Sequence, residues 1–196
     1  KINAARNIDE VMLDLGTDIC DLFQADRLSI YLVFEDKAAI ISRVKTGLNA
    51  FKDLRLPLAE QSIAGYSGLC RKMLNLADVY DDQELKRIHP SLRFLQAVDK
   101  KTGYRTKQML VAPVVDAGNA ELIGVVQLIN TRNGAPFASA AEDGMRQFCQ
   151  TLAIAFRQRM NAIVQRTKYD FLISDGVISP EDFQQATRLA RQQGLD

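Results

Sequence analysis

Apolar residues recur at Ile8, Met12, Leu15, Ile19 and Leu22, a four-three-four-three spacing that lays them along one seam of a helix. The pattern predicts a helix over Ala4–Gln24, with Val11 and Phe23 widening the stripe. Such a stripe suits a helix packed on its own domain and equally one that also pairs with a second subunit. The period then changes. Leu28, Ile30, Leu32 and Phe34 alternate with Ser29, Tyr31 and Val33, the two-residue period of a strand. Glu35-Asp36-Lys37 reads as a turn and Ala38–Val44 as the returning strand of a hairpin. A third strand is predicted at Asp53–Leu58. Ser62 is placed to cap a helix running to Met73, in which Gly65 and Gly68 permit close packing. The charged stretch Leu76–Pro90 reads as loop, and Ser91–Val98 as a short helix.

Met109–Val115 and Leu122–Asn130 form a second predicted hairpin around Asp116-Ala-Gly-Asn119. Ser139 opens a long helix with an apolar stripe of Met145, Phe148, Leu152, Ala155 and Phe156. Nothing interrupts it before Asp175-Gly176, so it is longer than one small domain can cover, which predicts a connector or dimer helix. Past Gly176, Ser179 as N-cap, Pro180 at the first helical position and Asp182 two residues on mark a new helix start, ended by Gly194. Antiparallel hairpins with helices on one side predict an α+β fold rather than a doubly wound parallel sheet.

Composition narrows the chemistry. A chain of 196 residues has room for one full domain and a small appendage. A formal net charge of +1 gives no global field for a nucleic acid polymer. No apolar run is long enough to predict a membrane span. The chain begins at Lys1 rather than Met, and is expected to be part of a longer protein. Cys20, Cys70 and Cys149 are odd in number and form no CxxC pair, so they read as reduced, buried small apolar residues of a cytoplasmic protein rather than zinc ligands. His89, in Arg-Ile-His-Pro-Ser, is the one histidine and reads as a surface residue. One histidine does not make a catalytic triad or a multi-histidine metal site. Phosphate loops of the GxxxxGK[ST] and GxGxxG types are absent.

Two polar residues stand on apolar strands: Ser29 between Leu28 and Ile30, and Gln127 between Val126 and Leu128. A buried polar group left without a partner costs on the order of 1–3 kcal/mol. If both point to one side of the sheet, a ligand is one candidate partner; a neighbouring loop or a buried water is another. The loop holding Asp99, Thr102, Tyr104, Arg105 and Thr106 has the same two readings, since Thr, Gly and Asp also build turns.

Five pieces occur in a telling order: Ser62-Ile-Ala-Gly-Tyr, Asn75-Leu-Ala-Asp-Val-Tyr-Asp-Asp, Val98-Asp-Lys-Lys-Thr-Gly-Tyr-Arg-Thr, Met109-Leu-Val-Ala-Pro-Val and Gly124-Val-Val-Gln-Leu-Ile-Asn130. Together they resemble a GAF domain, most of all the subtype of cyclic-nucleotide phosphodiesterases and bacterial adenylyl cyclases, from about Ile8 to Met160. The resemblance implies a PAS/profilin-like six-stranded antiparallel sheet with a ligand pocket on one face. The N- and C-terminal helices would lie on the other face and form a parallel homodimer. It implies ligand contacts at Ser29, Lys45, Thr46, Ile63, Ala64, Asp99, Thr102, Thr106 and Gln127. Lys45 stands where such members offer an aromatic ring, and Gln127 where cyclic-GMP binders carry a carboxylate. A neutral amide does not give the same charge-assisted bond. Of the family signature, Asn130, Phe137 and Glu142 match, whereas Thr131 and Ala141 replace a Lys and an Asp that pair in the family. Losing both together leaves no buried charge unpaired.

From Tyr169 to Phe183 the tail resembles the start of the N-terminal domain of type II secretion and type IV pilus assembly ATPases; a generic helix–turn–helix cap is the other reading. Thr167, Lys168 and Tyr169 stand where that family can carry an Arg-Leu-Gly triplet for cyclic di-GMP. The organisation expected is a sensory domain over 1–160, a connector helix over 161–175 and the start of a second, helical domain over 176–196. The resemblance implies a non-catalytic module for a small ligand, with a cyclic nucleotide as the candidate, signalling to an effector such as a secretion ATPase. The alternative is a dimerisation scaffold with a vestigial pocket. Methionine sulfoxide reductases of the fold need a cysteine pattern absent here. A covalent bilin needs a suitably placed cysteine, and Cys70 is followed by Arg71 rather than His.

Overall fold

Ala25–Val33 (β1) is a central strand of the sheet, flanked by Ala39–Lys45 (β2) and, through it, Arg55–Pro57 (β3). The structure is a computed structural model that describes residues 16–33, 37–45 and 55–174, together with the single positions 179, 181, 184, 185 and 188. Leu74–Leu76 (β4), Met109–Val115 (β5) and Leu122–Thr131 (β6) complete six strands in the order β3-β2-β1-β6-β5-β4, every neighbouring pair antiparallel. The helices are residues 16–23 (α1), Ile63–Cys70 (α2), Asp82–Ile88 (α3), Ala97–Thr102 (α4) and Ser139–Ser174 (α5). The α+β sheet is the one the resemblance implies.

Both faces of the sheet are covered, which is why its central strands carry so few polar residues. Register places Tyr31 opposite Val125 and Ser29 opposite Gln127 on one face, with Ile30 opposite Val126 and Leu28 opposite Leu128 on the other. All eight are buried. On the first face Tyr31, Val111 and Val125 belong to a core shared with Ile63 and Tyr66 of α2, Leu85 of α3, and Val79 and Leu92. Phe23 of α1 meets Phe148 of α5 edge to face, ring centroids 6.5 Å apart. Ile19 and Cys20 of α1 and Met145, Cys149 and Leu152 of α5 are buried with Phe23.

Helix rotation differs in detail from the predicted stripes. On α5 the buried positions include Cys149 and Ala153, while Ala155 is exposed. On α1 the inward residues are Ile19, Cys20 and Phe23, and Leu22 is 77% exposed. The seam read from Ile8 to Leu22 is therefore split at its C-terminal end, and Ile8, Met12 and Leu15 lie outside the described residues. The predicted turn at Glu35-Asp36-Lys37 is described only at Lys37.

Two local expectations are corrected. Leu76–Pro90 is not a loop: it holds the end of β4 and all of α3. β4 is three residues long, too short to show a period. In α3 only Leu85 is buried, so no apolar stripe announces the helix. Its ends were nevertheless marked, because Asp81 caps the Gln83 N–H, acids fill the first turn and Lys86 and Arg87 the last. The short helix predicted at Ser91–Val98 begins only at Ala97. The segment before it is drawn out to the α2 cap, Arg93 N–H donating to the Gln61 carbonyl at 2.9 Å.

α2 forms as its sequence predicts, though it ends at Cys70. Ser62 Oγ accepts from the Gly65 N–H at 3.0 Å. A Cβ on Gly68 would lie 2.7 Å from Leu58 Cδ2 and 3.1 Å from Val125 Cγ2, so glycine is what lets α2 sit on the sheet. Ser62→Ala is expected to lower stability by about 1 kcal/mol, read as a lower urea midpoint at unchanged slope. An unmoved midpoint would mean that the cap contributes nothing.

The chain divides into two compact units, Lys1–Ala153 and Ile154–Asp196, with the boundary inside α5. Most of the helix start predicted after Gly176 lies outside the described residues; Glu181 and positions 184, 185 and 188 are helical. Among the described residues no helix is long and apolar enough to cross a membrane.

Candidate functional site

A cavity of about 200 Å³ lies between the sheet and the helices above it. Its floor is Ser29 and Tyr31 of β1, Met109 of β5, and Gln127 and Ile129 of β6. Ile63 and Ala64 of α2 and Val98 and Asp99 of α4 cover it, with Phe94 and Leu95, and Arg27, Leu56, Tyr104 and Thr106 close the sides. Six of the nine sequence candidates therefore meet here: Ser29, Ile63, Ala64, Asp99, Thr106 and Gln127. Thr102 does not line the cavity. Its Oγ1 donates to the Val98 carbonyl at 2.8 Å and accepts from the Tyr104 N–H at 3.3 Å, closing the last turn of α4. Lys45 ends β2 opposite Ser29, and Thr46 lies outside the described residues.

Alternation along β1 and β6 aims Ser29 and Gln127 at the same space, and direct register sets their Cβ atoms about 5 Å apart. Tyr31 stands beside Ser29 on the same strand face, and burial pushes its ionisation well above the ordinary tyrosine range. Gln127 is 6% exposed. Its Nε2 donates to Met109 Sδ at 3.4 Å, and a thioether is a weak acceptor. Much of the hydrogen-bonding capacity of this buried amide is thus left to whatever enters the cavity.

Asp99 and Thr106 are differently placed, because they bond each other. Asp99 Oδ1 accepts from Thr106 Oγ1 at 2.8 Å, and Oδ2 accepts from the Thr106 N–H at 2.8 Å and from the Tyr80 hydroxyl at 3.0 Å. Arg27 was missed by the sequence reading. Its guanidinium carbon lies 3.3 Å from the Tyr104 ring centroid. Tyr104 in turn donates to Asp26 Oδ2 at 3.3 Å and accepts from Asn130 Nδ2 at 2.8 Å. Burial, then the Asp26 carboxylate, push the Tyr104 pKa up to about 12, so it stays a neutral phenol. The signal was available: Arg27, Ser29 and Tyr31 share one strand face, but a strand read as starting at Leu28 leaves Arg27 out.

The signature residues support the site rather than line it. Asn130, at φ 51°, accepts from the Lys107 N–H at 2.7 Å and donates to the Arg105 carbonyl at 2.8 Å, tying loop to strand end. Asn75 Nδ2 donates to Glu142 Oε1 at 2.7 Å and to the Phe137 carbonyl at 2.8 Å, linking β4 to the start of α5. Thr131, in place of a lysine, donates its hydroxyl to the Ala135 carbonyl.

Other reactive groups are occupied elsewhere. Cys20 and Cys149 are buried, Cys70 is half-buried, and burial pushes the Cys149 thiol up to about 12, where little thiolate forms at neutral pH. His89 is less open than expected. It packs at 5.4 Å on the Tyr66 ring, and its Nδ1 accepts from the Ser91 N–H at 3.3 Å.

A family model described as GAF domain matches residues 7–156. The chain belongs to the GAF domain family. A GAF domain is a regulatory, small-molecule-sensing module rather than a catalytic one. Among the relatives of this domain is a probable 3',5'-cyclic phosphodiesterase of Caenorhabditis elegans, 30% identical over 160 residues, covering 76% of this chain and 20% of the relative. A dual 3',5'-cyclic-AMP and -GMP phosphodiesterase of Takifugu rubripes is 28% identical over 163 residues, 78% of this chain and 17% of the relative. The chain thus spans a fifth or less of the length of these relatives. The GAF domain of an Acinetobacter phosphoenolpyruvate-protein phosphotransferase has the same fold, with a TM-score of 0.60 at 18% identity over 82% of this chain and 95% of that one.

Proposed function

We propose that this GAF domain holds a cyclic nucleotide in the cavity beneath α2 and α4, and that it regulates a larger, bacterial multidomain protein. The observation that carries the reading is Gln127: an amide 6% exposed, whose donor meets, among the described residues, a thioether, aimed with Ser29 into a mainly apolar cavity. A flat heterocycle with donors and acceptors on its edge suits such a place, because apolar walls take its faces and the amide its edge. The two phosphodiesterase relatives support the same ligand class. Occupancy would pass along α5, 36 residues long, to an effector such as a secretion ATPase, within a homodimer joined by its terminal helices. A cyclic-nucleotide-driven change reaches that effector only through its differential affinity for two arrangements.

A second reading is a dimerisation scaffold whose pocket is vestigial. One observation favours it: Asp99 and Thr106 satisfy each other, in a cavity below the roughly 300–1,000 Å³ common for ligand pockets. Thermal melts with cyclic AMP, cyclic GMP and cyclic di-GMP separate the two. Ligand at 100 times its dissociation constant adds about 2.7 kcal/mol, or roughly 5–11 °C for a chain of this size. No shift with any of the three, and no nucleotide mass carried through purification, would leave the scaffold.

A further inference from the structure

The helix that covers the cavity has almost no apolar anchor. Of the six residues of α4, Ala97–Thr102, the one buried residue is Asp99. A carboxylate out of water holds its place only through hydrogen bonds, and Asp99 accepts three: from the N–H and hydroxyl of Thr106 and from the Tyr80 hydroxyl. Tyr80 is itself fixed. The Val79 N–H beside it donates to the Lys107 carbonyl at 2.8 Å, and Arg105 lies over its ring, 3.4 Å from the centroid. Farther along, the Tyr104 hydroxyl takes its bond from Asn130 and its ring lies against Arg27. Residues 97–105 are thus held across the cavity by polar contacts to Thr106, Tyr80, Asn130 and Arg27, whereas the sheet below is held by apolar burial.

We infer that residues 97–105 form a lid and that Asp99 is its latch, a positioning residue that closes the cavity by holding Thr106, at the fixed foot of the lid, and Tyr80 beyond it. Polar contacts of this kind exchange with water at modest net cost, while buried apolar surface does not. The segment around Asp99 is therefore the part of the wall that opens. The inference rests on the cavity and its cover alone and holds whatever the occupant is. It also gives Asp99 and Thr106 a role in the empty protein. A ligand hydroxyl that donates to Asp99 and accepts from Thr106 replaces their mutual bond, so filling the cavity and resetting the latch become one event.

The test needs no ligand. In the full chain carrying Cys70→Ser, Met109→Cys sets a thiol on the cavity floor, and iodoacetamide followed by peptide mass spectrometry gives its alkylation rate. The latch predicts slow reaction of that thiol. Asp99→Ala should raise the rate at least about tenfold, the scale of losing a hydrogen bond to a charged group. Asp99→Asn, whose amide oxygen still accepts and whose NH2 can donate to the Thr106 hydroxyl, should fall back toward the parent. Tyr80→Phe should raise the rate a few-fold. Cys20 and Cys149, buried elsewhere, should keep their slow rates throughout, which separates lid opening from general loosening. A floor thiol that reacts in the parent as fast as in urea overturns the lid. An unchanged rate in a natively folded Asp99→Ala overturns the latch. Should Asp99→Ala not fold, Tyr80→Phe combined with Thr106→Val takes its place, and no acceleration there overturns it equally. Because nucleotide titration plays no part, failure here is distinct from failure of the cyclic-nucleotide reading.

Discussion

Gly124→Ala is expected to melt about 10 °C below the parent. Gly124 pairs with Leu32 across the β1–β6 ladder, and a Cβ there would fall on the carbonyl oxygen of Tyr31. The obstacle is backbone at the centre of the sheet, so no side-chain rotation relieves it. Either the ladder parts locally or β1 shifts, and Tyr31 and Ser29 shift with it. Overpacking of this kind costs about 3 kcal/mol, and each kcal/mol moves the midpoint of a chain of this size by roughly 2–4 °C. A melt followed by far-UV circular dichroism gives the answer. A variant that melts with the parent would contradict the close approach of the two strands, and with it the register that places Ser29 opposite Gln127.

Phe23→Ala should cost about 3 kcal/mol, the lower end for truncating a buried aromatic ring. Phe23 is buried, meets Phe148 edge to face, and lies against Gly144, where an added Cβ would come within 3.1 Å of its ring. Removing the ring empties a volume that neither Phe148 nor the glycine can fill, since one is fixed in its helix and the other has no side chain. Urea unfolding should show a lower midpoint at unchanged slope. The floor-thiol alkylation should stay slow, because the loss falls on the face of the sheet away from the lid. A midpoint within about 0.5 kcal/mol of the parent, the scale of an ordinary surface substitution, would mean that α1 is not packed on α5 as described.

Much of this was legible in the chain. Alternation at Leu28–Phe34 and continuous apolar runs at Met109–Val115 and Leu122–Asn130 marked three central strands, since strands covered on both faces need apolar residues on both. Ser62 and the glycines after it marked α2. What escaped was short or charged. β4 is three residues long, and α3 buries one, so neither carries enough periods to show. Leu22 carried the apolar spacing of its helix yet faces outward, because period identifies a stripe without saying which edge of it meets the core.

The candidate site divides in the same way. Ser29 and Gln127 were identifiable by chemistry alone, as polar residues on strands with no reason to be polar, and register then proved them neighbours. Arg27 was not, because its membership of the cavity depends on where β1 begins. The roles of Asp99 and Thr106 belong to tertiary structure altogether. The order of their residue types marks a polar loop before a strand, and only folding decides whether those groups face a ligand or each other. By itself the chain determined an α+β module of antiparallel hairpins with polar residues set on apolar strands, because local periodicity and capping are properties of neighbouring residues, whereas the sixth strand and the face shared by Ser29 and Gln127 came with the tertiary structure. The three-dimensional arrangement decided that α4 is held by a buried carboxylate rather than by apolar contact, because a hydrogen bond between Asp99, Thr106 and Tyr80 depends on distances that no spacing along the chain encodes.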